Sequence, residues 1–135
     1  MSRGFAACHA SPPKSRVTKK MLVDIHRYPG LIPELINNRM YRPSRPAGYT
    51  KGDVRRFRKS LGLSPDAPII VGHTPVDRTE TYWLDVGAVP DHHVIYGAGT
   101  SWVGVFTAIG GRLMPLKYPV ENLRPVVATL GEDAA

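Results

Sequence analysis

Two histidines in this sequence each follow a short apolar run, an arrangement that can place an imidazole where a ligand binds. His73 comes two positions after Ile69–Val71, and His9 comes directly after residues 5–8. Such runs predict short strands, the one at Ile69–Val71 buried, and neighbouring strands present their ends at one rim of a sheet. Neutral imidazole is a common ligand for zinc, iron and manganese. We therefore expect His9 and His73 to lie together as candidate metal ligands. The alternative is that each is a structural histidine held by hydrogen bonds.

These two histidines do not form a self-contained metal motif. A divalent ion needs further ligands, and the spacing of His9 and His73 matches no compact zinc motif. Cys8 is the single cysteine of the sequence, which excludes an internal disulfide and a cysteine-based zinc cluster. His92 and His93 are adjacent in a predicted strand, so their side chains point to opposite faces. At most one of them can join a site, and we expect structural or surface roles for both.

Three arginines lie in the stretch from residue 39 to residue 48, which also contains two prolines and is predicted to be an exposed loop. The planar guanidinium group suits phosphate, and loops also carry arginine for solubility. Arg42 and Arg45 are therefore candidates for binding a substrate phosphate, together with Arg39.

The elements that position these residues are predicted to be helices in the first half of the chain. Helical spacing of apolar residues predicts short helices over residues 17–25 and 31–36. The clearest helix begins after Thr50, which is expected to form a capping box with Asp53. Gly62 is placed to end this helix in the left-handed conformation.

The second half of the chain is predicted to consist of strands. Gly110-Gly111 is a two-residue turn that indicates a hairpin, and Pro115 interrupts its second arm, as is typical of an edge strand. One layered α/β domain fits this order of elements better than two domains. Besides the run at Ile69–Val71, the predicted strands are residues 82–86, 93–96, 102–109 and 113–118.

Composition and charge limit the classes of protein to consider. The 135 residues are enough for one ordinary domain, and no apolar run approaches the length of a membrane span. The apolar residues near the N-terminus are too few for a signal peptide, so we expect a cytoplasmic location. The first 66 residues hold fourteen Lys or Arg and four acidic residues of a chain whose formal net charge is +7. Such a surface can face nucleic acid or a phosphorylated ligand, but the lack of interleaved aromatic residues favours a solvated basic surface.

Residues 71–75, Val-Gly-His-Thr-Pro, resemble the Gly-His-Thr-Pro motif near the end of calcineurin-like metallophosphoesterases, particularly the phosphoprotein-phosphatase-like branch. Residues 5–10, Phe-Ala-Ala-Cys-His-Ala, are similar to that family's preceding block, an apolar strand that ends in His-Ala or His-Gly. The helix that leads into the second strand and the β run that follows it also fit. The resemblance covers most of the chain but only the C-terminal half of a family domain.

The resemblance implies a partial calcineurin-like β-sandwich with flanking helices over residues 1–125. Residues 126–135, at the end of the chain, are expected to form a loosely ordered tail. It implies that His9 and His73 bind the same one of two metal ions, which would be Mn, Fe or Zn. In the family, the metals activate a water that attacks phosphorus. The motif ends in proline rather than in a second histidine, which favours phosphomonoesters over diesters. The expected activity is therefore that of a serine/threonine-phosphatase-like hydrolase acting on a phosphorylated substrate.

The family's earlier blocks, Gly-Asp-x-His, Gly-Asp-x-x-Asp-Arg and Gly-Asn-His followed by an acid, are absent from this sequence. They supply the bridging aspartate and the other ligands, so we expect no catalytic residue and at most one partial metal site here. The chain is interpreted as a truncated form that is inactive alone, with exposed strand edges that favour self-association. The alternatives are a small basic non-catalytic module that binds nucleic acid or a protein partner, and a degenerate gene fragment.

Overall fold

A computed structural model describes residues 4–76, 80–96, 101–109 and 112–123 of the chain, which mix helices and strands as the α/β class does. The helices are α1 (Lys19–Val23), α2 (Ile32–Asn37) and α3 (Lys51–Ser60), with 3₁₀ turns at Ile25–Arg27, Pro29–Leu31, Val86–Ala88 and Val120–Leu123. The strands are β1 (Ala6–Cys8), β2 (Ile69–Val71), β3 (Tyr82–Trp83), β4 (His92–Ile95), β5 (Trp102–Ile109) and β6 (Arg112–Pro119).

Four short strands form one mixed sheet in the order β1-β2-β4-β3. β1, β2 and β4 are parallel, whereas β3 runs antiparallel to β4. In the parallel register Cys8 lies beside Val71, the last residue of its strand. β1 and β2 therefore end at the same rim, and the residues that follow them leave the sheet side by side.

The apolar core forms where α3 packs on the sheet. Val54 and Phe57 of α3 belong to the same buried cluster as Ile69, Val71 and Val94 of the two inner strands. All three residues of β2 are buried, because this strand has a parallel neighbour on each side and is covered on both faces. A wholly apolar run is the sequence pattern that such a strand requires.

The predicted limits of α3 are confirmed. The backbone N–H of Thr50 donates to Asp53 at 2.7 Å, and the Thr50 hydroxyl accepts from the Asp53 backbone at 3.4 Å, which completes the capping box. Gly62 has a φ of +70°, the left-handed conformation expected just after the helix. The earlier helices are short: α1 covers part of the predicted residues 17–25, and α2 nearly matches residues 31–36.

The prediction of a single strand over residues 82–86 is wrong. β3 ends at Trp83, and Asp85 adopts a left-handed conformation with φ of 49°. Val86 is then fully buried in the core, while the Asp85 carboxylate accepts a hydrogen bond from the Asp91 backbone at 2.9 Å. The alternation of apolar residues predicted a strand because it places Val86 on a buried face. The turn at Asp85 also buries Val86, so the burial does not require a strand.

β5 and β6 form a separate antiparallel hairpin that contacts the main sheet through Tyr82. The Tyr82 hydroxyl accepts a hydrogen bond from the Val105 backbone at 2.6 Å and also bonds the Leu116 carbonyl. Pro115 lies within β6, opposite Phe106, and in a sheet of two strands β6 is an edge strand, as predicted.

Two expectations fall outside the described residues: the turn at Gly110-Gly111 and the loosely ordered tail over residues 126–135. In the segments that are described, every helix is too short or too polar to cross a bilayer.

Candidate functional site

His9 and His73 lie side by side at the rim where β1 and β2 end. Their ring centroids are 5.2 Å apart and the ring planes are inclined by 49°. The Gly72 backbone N–H donates to the His9 carbonyl at 2.9 Å, which joins the two strand ends. A Cβ atom on Gly72 would lie 3.2 Å from that carbonyl oxygen, so the close approach favours glycine. The predicted pairing is observed, and the role of the pair in metal binding stays a prediction.

A tight turn holds His73 at this rim. The residue has a φ of 61°, and the Thr74 backbone N–H donates to the Gly72 carbonyl at 2.7 Å. A left-handed conformation is uncommon for a residue other than glycine and costs about 1 kcal/mol. The turn is retained because the strand pairing on one side and buried Thr74 on the other fix the backbone around it.

The surroundings of His73 are positively charged. The Arg39 guanidinium donates to Nε2 of His73 at 3.4 Å, and the ring nitrogen must accept because arginine has no acceptor. Burial lowers the pKa of His73, and the nearby charges of Arg39, His9 and Arg45 lower it further. His73 is therefore neutral at pH 7, and a metal ion could bind its Nε2 only by displacing the Arg39 guanidinium, because Nδ1 of this tautomer carries the proton.

The donor atoms around the pair do not fit a complete metal site. Two imidazoles supply half of the four ligands that a tetrahedral zinc ion takes. Across residues 4–76, 80–96, 101–109 and 112–123, no group of three or more His, Cys, Asp or Glu side chains is placed to hold an ion. A metal bound by His9 and His73 would need further ligands from elsewhere.

An arginine-lined cavity of about 220 Å³ lies beside the turn that holds His73. Arg42 and Arg45, the residues predicted to bind phosphate, both line it, and none of the described lining residues is acidic. Nε of Arg39 is buried and has no hydrogen-bond partner within the described segments. The cavity therefore offers positive charge, which suits phosphate or another oxyanion. Its lining residues are Arg39, Met40, Arg42, Ser44, Arg45, Thr74 and Pro75.

The loop that carries these arginines is anchored where it meets the core. The Tyr49 backbone N–H donates to the Arg39 carbonyl at 2.9 Å. Gly48 approaches so closely that a Cβ atom would lie 2.6 Å from the same carbonyl oxygen. Residues 41–47 are exposed, as predicted, but the anchoring at both ends was not apparent from the sequence.

Sequence reasoning missed some residues that line this region. Thr74 comes directly after the candidate ligand His73, and this position in the sequence could have identified it. Ser44 and Trp83 gave no signal of their own. The Arg42 guanidinium lies 4.7 Å from the centroid of the Trp83 ring, an arrangement that joins the loop to β3 by a cation–π contact.

His92 and His93 lie away from this site, at the beginning of β4, next to the start of β2. Both are buried, which agrees with the structural role expected for them. The His93 ring stacks on Phe106 with centroids 5.4 Å apart. Neither side chain is available to complete a set of ligands with His9 and His73.

Comparison with known proteins found no relative of this chain. A scan against protein-family models gave no match, and searches of curated proteins and of solved structures gave none either. The resemblance to calcineurin-like metallophosphoesterases therefore rests on the short motifs at residues 5–10 and 71–75.

Proposed function

We propose that this chain forms the histidine-and-arginine side of a phosphomonoesterase site of the calcineurin-like, serine/threonine-phosphatase-like type. The observation that carries the proposal is the pairing of His9 and His73, with ring centroids 5.2 Å apart, beside the arginine-lined cavity. Phosphoryl transfer needs a group that binds the phosphoryl oxygens next to the place where a metal acts. One rim of the sheet brings both features together.

Within this proposal the arginines bind the phosphoryl group. Arg42 and Arg45 line the cavity with two guanidinium groups, each able to form paired hydrogen bonds with phosphate oxygens. Arg39 also lines the cavity and adds its positive charge. A dianionic phosphomonoester gains more from this positive charge than a singly charged diester, because its charge is larger.

The histidine pair would hold one Mn, Fe or Zn ion of a dinuclear centre. Such an ion would supply Lewis-acid catalysis. The described residues supply no further ligands, so the pair by itself would form at most one partial metal site. The four-stranded sheet and the β5–β6 hairpin would be parts of the two layers of a sandwich. The chain alone is expected to be inactive towards phosphomonoesters.

Titration with Mn²⁺ tests the histidine half of the proposal. We expect His9→Ala and His73→Ala each to weaken binding about ten-fold or more, measured by calorimetry. The control is His26→Ala, since His26 is an exposed histidine in the turn Ile25–Arg27. Absence of binding to the unaltered chain, or equal binding by all the variants, would refute the assignment of the pair.

Titration with inorganic phosphate tests the arginine half. Combining Arg42→Gln with Arg45→Gln is expected to weaken binding about ten-fold or more, because two charge-assisted contacts are lost. The control combines Arg55→Gln with Lys59→Gln, which removes the same charge from exposed positions of α3. Equal losses in the two double variants would mean that phosphate responds only to net charge, and the proposal would fail.

A further inference from the structure

A second cavity, of about 450 Å³, adjoins the arginine-lined cavity. Arg42 and Pro75 line both cavities, so the two share a wall. We call the second one the aromatic cavity, because two of its lining residues, Tyr82 and Trp83 of β3, are aromatic. Its lining residues are Arg42, Pro75, Val76, Glu80, Tyr82 and Trp83.

The aromatic side chains of this cavity are held in place before any ligand binds. The Tyr82 hydroxyl bonds the backbone of Val105 in the hairpin, and its ring packs edge to face on Phe106 at 5.2 Å. Trp83 is paired with Val94 in the sheet and packs against the apolar core. A ligand ring therefore meets fixed walls and loses little free energy in ordering them.

Arg42 connects the two cavities physically. Its guanidinium group lines the first cavity and also lies over the Trp83 ring, 4.7 Å from the ring centroid. A phosphate bound by Arg42 is therefore placed next to an aromatic surface. A group esterified to that phosphate can therefore extend towards this aromatic surface.

The charges of the aromatic cavity select the kind of group that it can take. Arg42 is the one cation among its described lining residues, and Glu80 contributes a carboxylate that pairs with Lys117 at 3.2 Å. Since the carboxylate and the ammonium group of this pair offset each other, they add little attraction for a second phosphate. A neutral planar ring instead gains apolar contacts with the partly exposed side chains of Tyr82 and Trp83.

We propose that the aromatic cavity binds a planar aromatic ring on the alcohol part of a phosphate monoester. This inference rests on the proposed function, because the arginine-lined cavity places the phosphate. The ring is either attached directly to the phosphate oxygen, as in an aryl phosphate, or carried on a sugar, as in a nucleoside monophosphate. Both ligands present the same chemistry, a dianion joined to a neutral planar ring.

Affinities for inorganic phosphate, phenyl phosphate and adenosine 5′-monophosphate test this inference in the full chain. At least one of the two ring-bearing ligands is expected to bind about three- to ten-fold more tightly than phosphate. If phenyl phosphate binds more tightly, the ring is attached directly to the phosphate oxygen; if adenosine 5′-monophosphate does, the ring is carried on a sugar. Trp83→Leu is expected to remove this advantage, measured as the ratio of each variant's affinity for the ring-bearing ligand to its own affinity for phosphate, whereas Trp83→Phe keeps most of it. The matched control is Tyr118→Leu, since Tyr118 is an exposed aromatic residue that lines neither cavity.

A direct signal from Trp83 adds a readout that does not depend on affinity. The chain has two tryptophans, so Trp102→Phe leaves Trp83 as the single fluorophore. Saturation with the tighter ring-bearing ligand is expected to quench or shift its emission more than phosphate does. Equal affinity for all three ligands, or an advantage that survives Trp83→Leu, would overturn this inference while the proposed function stands. Failure of phosphate itself to bind would overturn both.

Discussion

The hydroxyl of Tyr49 lies 2.8 Å from Nε2 of His92, and both side chains are fully buried. Nδ1 of the same imidazole lies 3.2 Å from the Ile69 carbonyl oxygen, which can only accept a hydrogen bond. Nδ1 therefore carries the proton, and Nε2 accepts from the Tyr49 hydroxyl. This chain of bonds joins the residue after the arginine loop to β2 and β4.

Tyr49→Phe is expected to destabilise the protein by about 1–3 kcal/mol, because Nε2 of His92 would stay buried without a donor. Urea denaturation followed by circular dichroism measures the change in the free energy of unfolding. Tyr118→Phe is the control, since it removes the same hydroxyl from an exposed position. A Tyr49→Phe variant as stable as the control would show that the buried hydrogen bond contributes nothing.

Stability is expected to fall as the pH is lowered from about 6.5 towards 4. Burial lowers the pKa of His92 to about 4, from an ordinary value of 6.5, although its hydrogen bond to the Ile69 carbonyl acts in the opposite direction. Below pH 6.5 the unfolded chain takes up a proton that the folded chain does not, so acid favours unfolding. The loss from His92 amounts to about 3 kcal/mol when complete. Burial also lowers the pKa values of His73 and His93, which contribute with the same sign.

Urea midpoints between pH 7.5 and 4.5 measure this dependence. His92→Gln is expected to reduce its slope, whereas His26→Gln, at an exposed position, leaves the slope unchanged. A midpoint that stays constant over this range would contradict the assignment of a neutral buried imidazole.

Arg58→Ala is expected to destabilise the protein by about 3 kcal/mol or more. The buried guanidinium donates to the carbonyls of Ala67, Pro65 and Pro90 at 2.7–2.8 Å, and its loss leaves these acceptors without a donor. Thermal and urea denaturation measure the effect. Arg55→Ala is the control, because Arg55 is an exposed residue of the same helix, and a similar loss in both variants would argue against a specific role of the buried guanidinium.

Gly48→Ala is expected to weaken phosphate binding and to lower stability together. The added methyl group would lie 2.6 Å from both the Arg39 carbonyl oxygen and the Tyr41 backbone nitrogen, so the arginine loop must shift. Gly30→Ala is the matched control, since a Cβ atom there meets nothing within 4 Å. Phosphate affinity measured by calorimetry should fall in the first variant alone. Unchanged affinity in Gly48→Ala would show that the loop position does not determine binding.

The features that sequence reasoning predicted well are those set by neighbouring residues. The capping box of Thr50 and Asp53 and the left-handed Gly62 follow from local backbone chemistry. The apolar run Ile69–Val71 identified a strand buried on both faces. The alternation of apolar residues over 82–86 predicted one strand, and this prediction was wrong. A turn at Asp85 buries Val86 in the core without continuing the strand.

By itself, the sequence determined that His9 and His73 each follow a short apolar strand and that three arginines share one loop. Only the tertiary structure decided that the parallel pairing of β1 and β2 brings the two imidazoles within 5.2 Å. It also decided that the arginine loop folds back to enclose a cavity beside them, next to Trp83. The physical reason is that strand position and side-chain environment follow from local sequence, whereas distances between remote segments depend on strand register and on packing across the whole core.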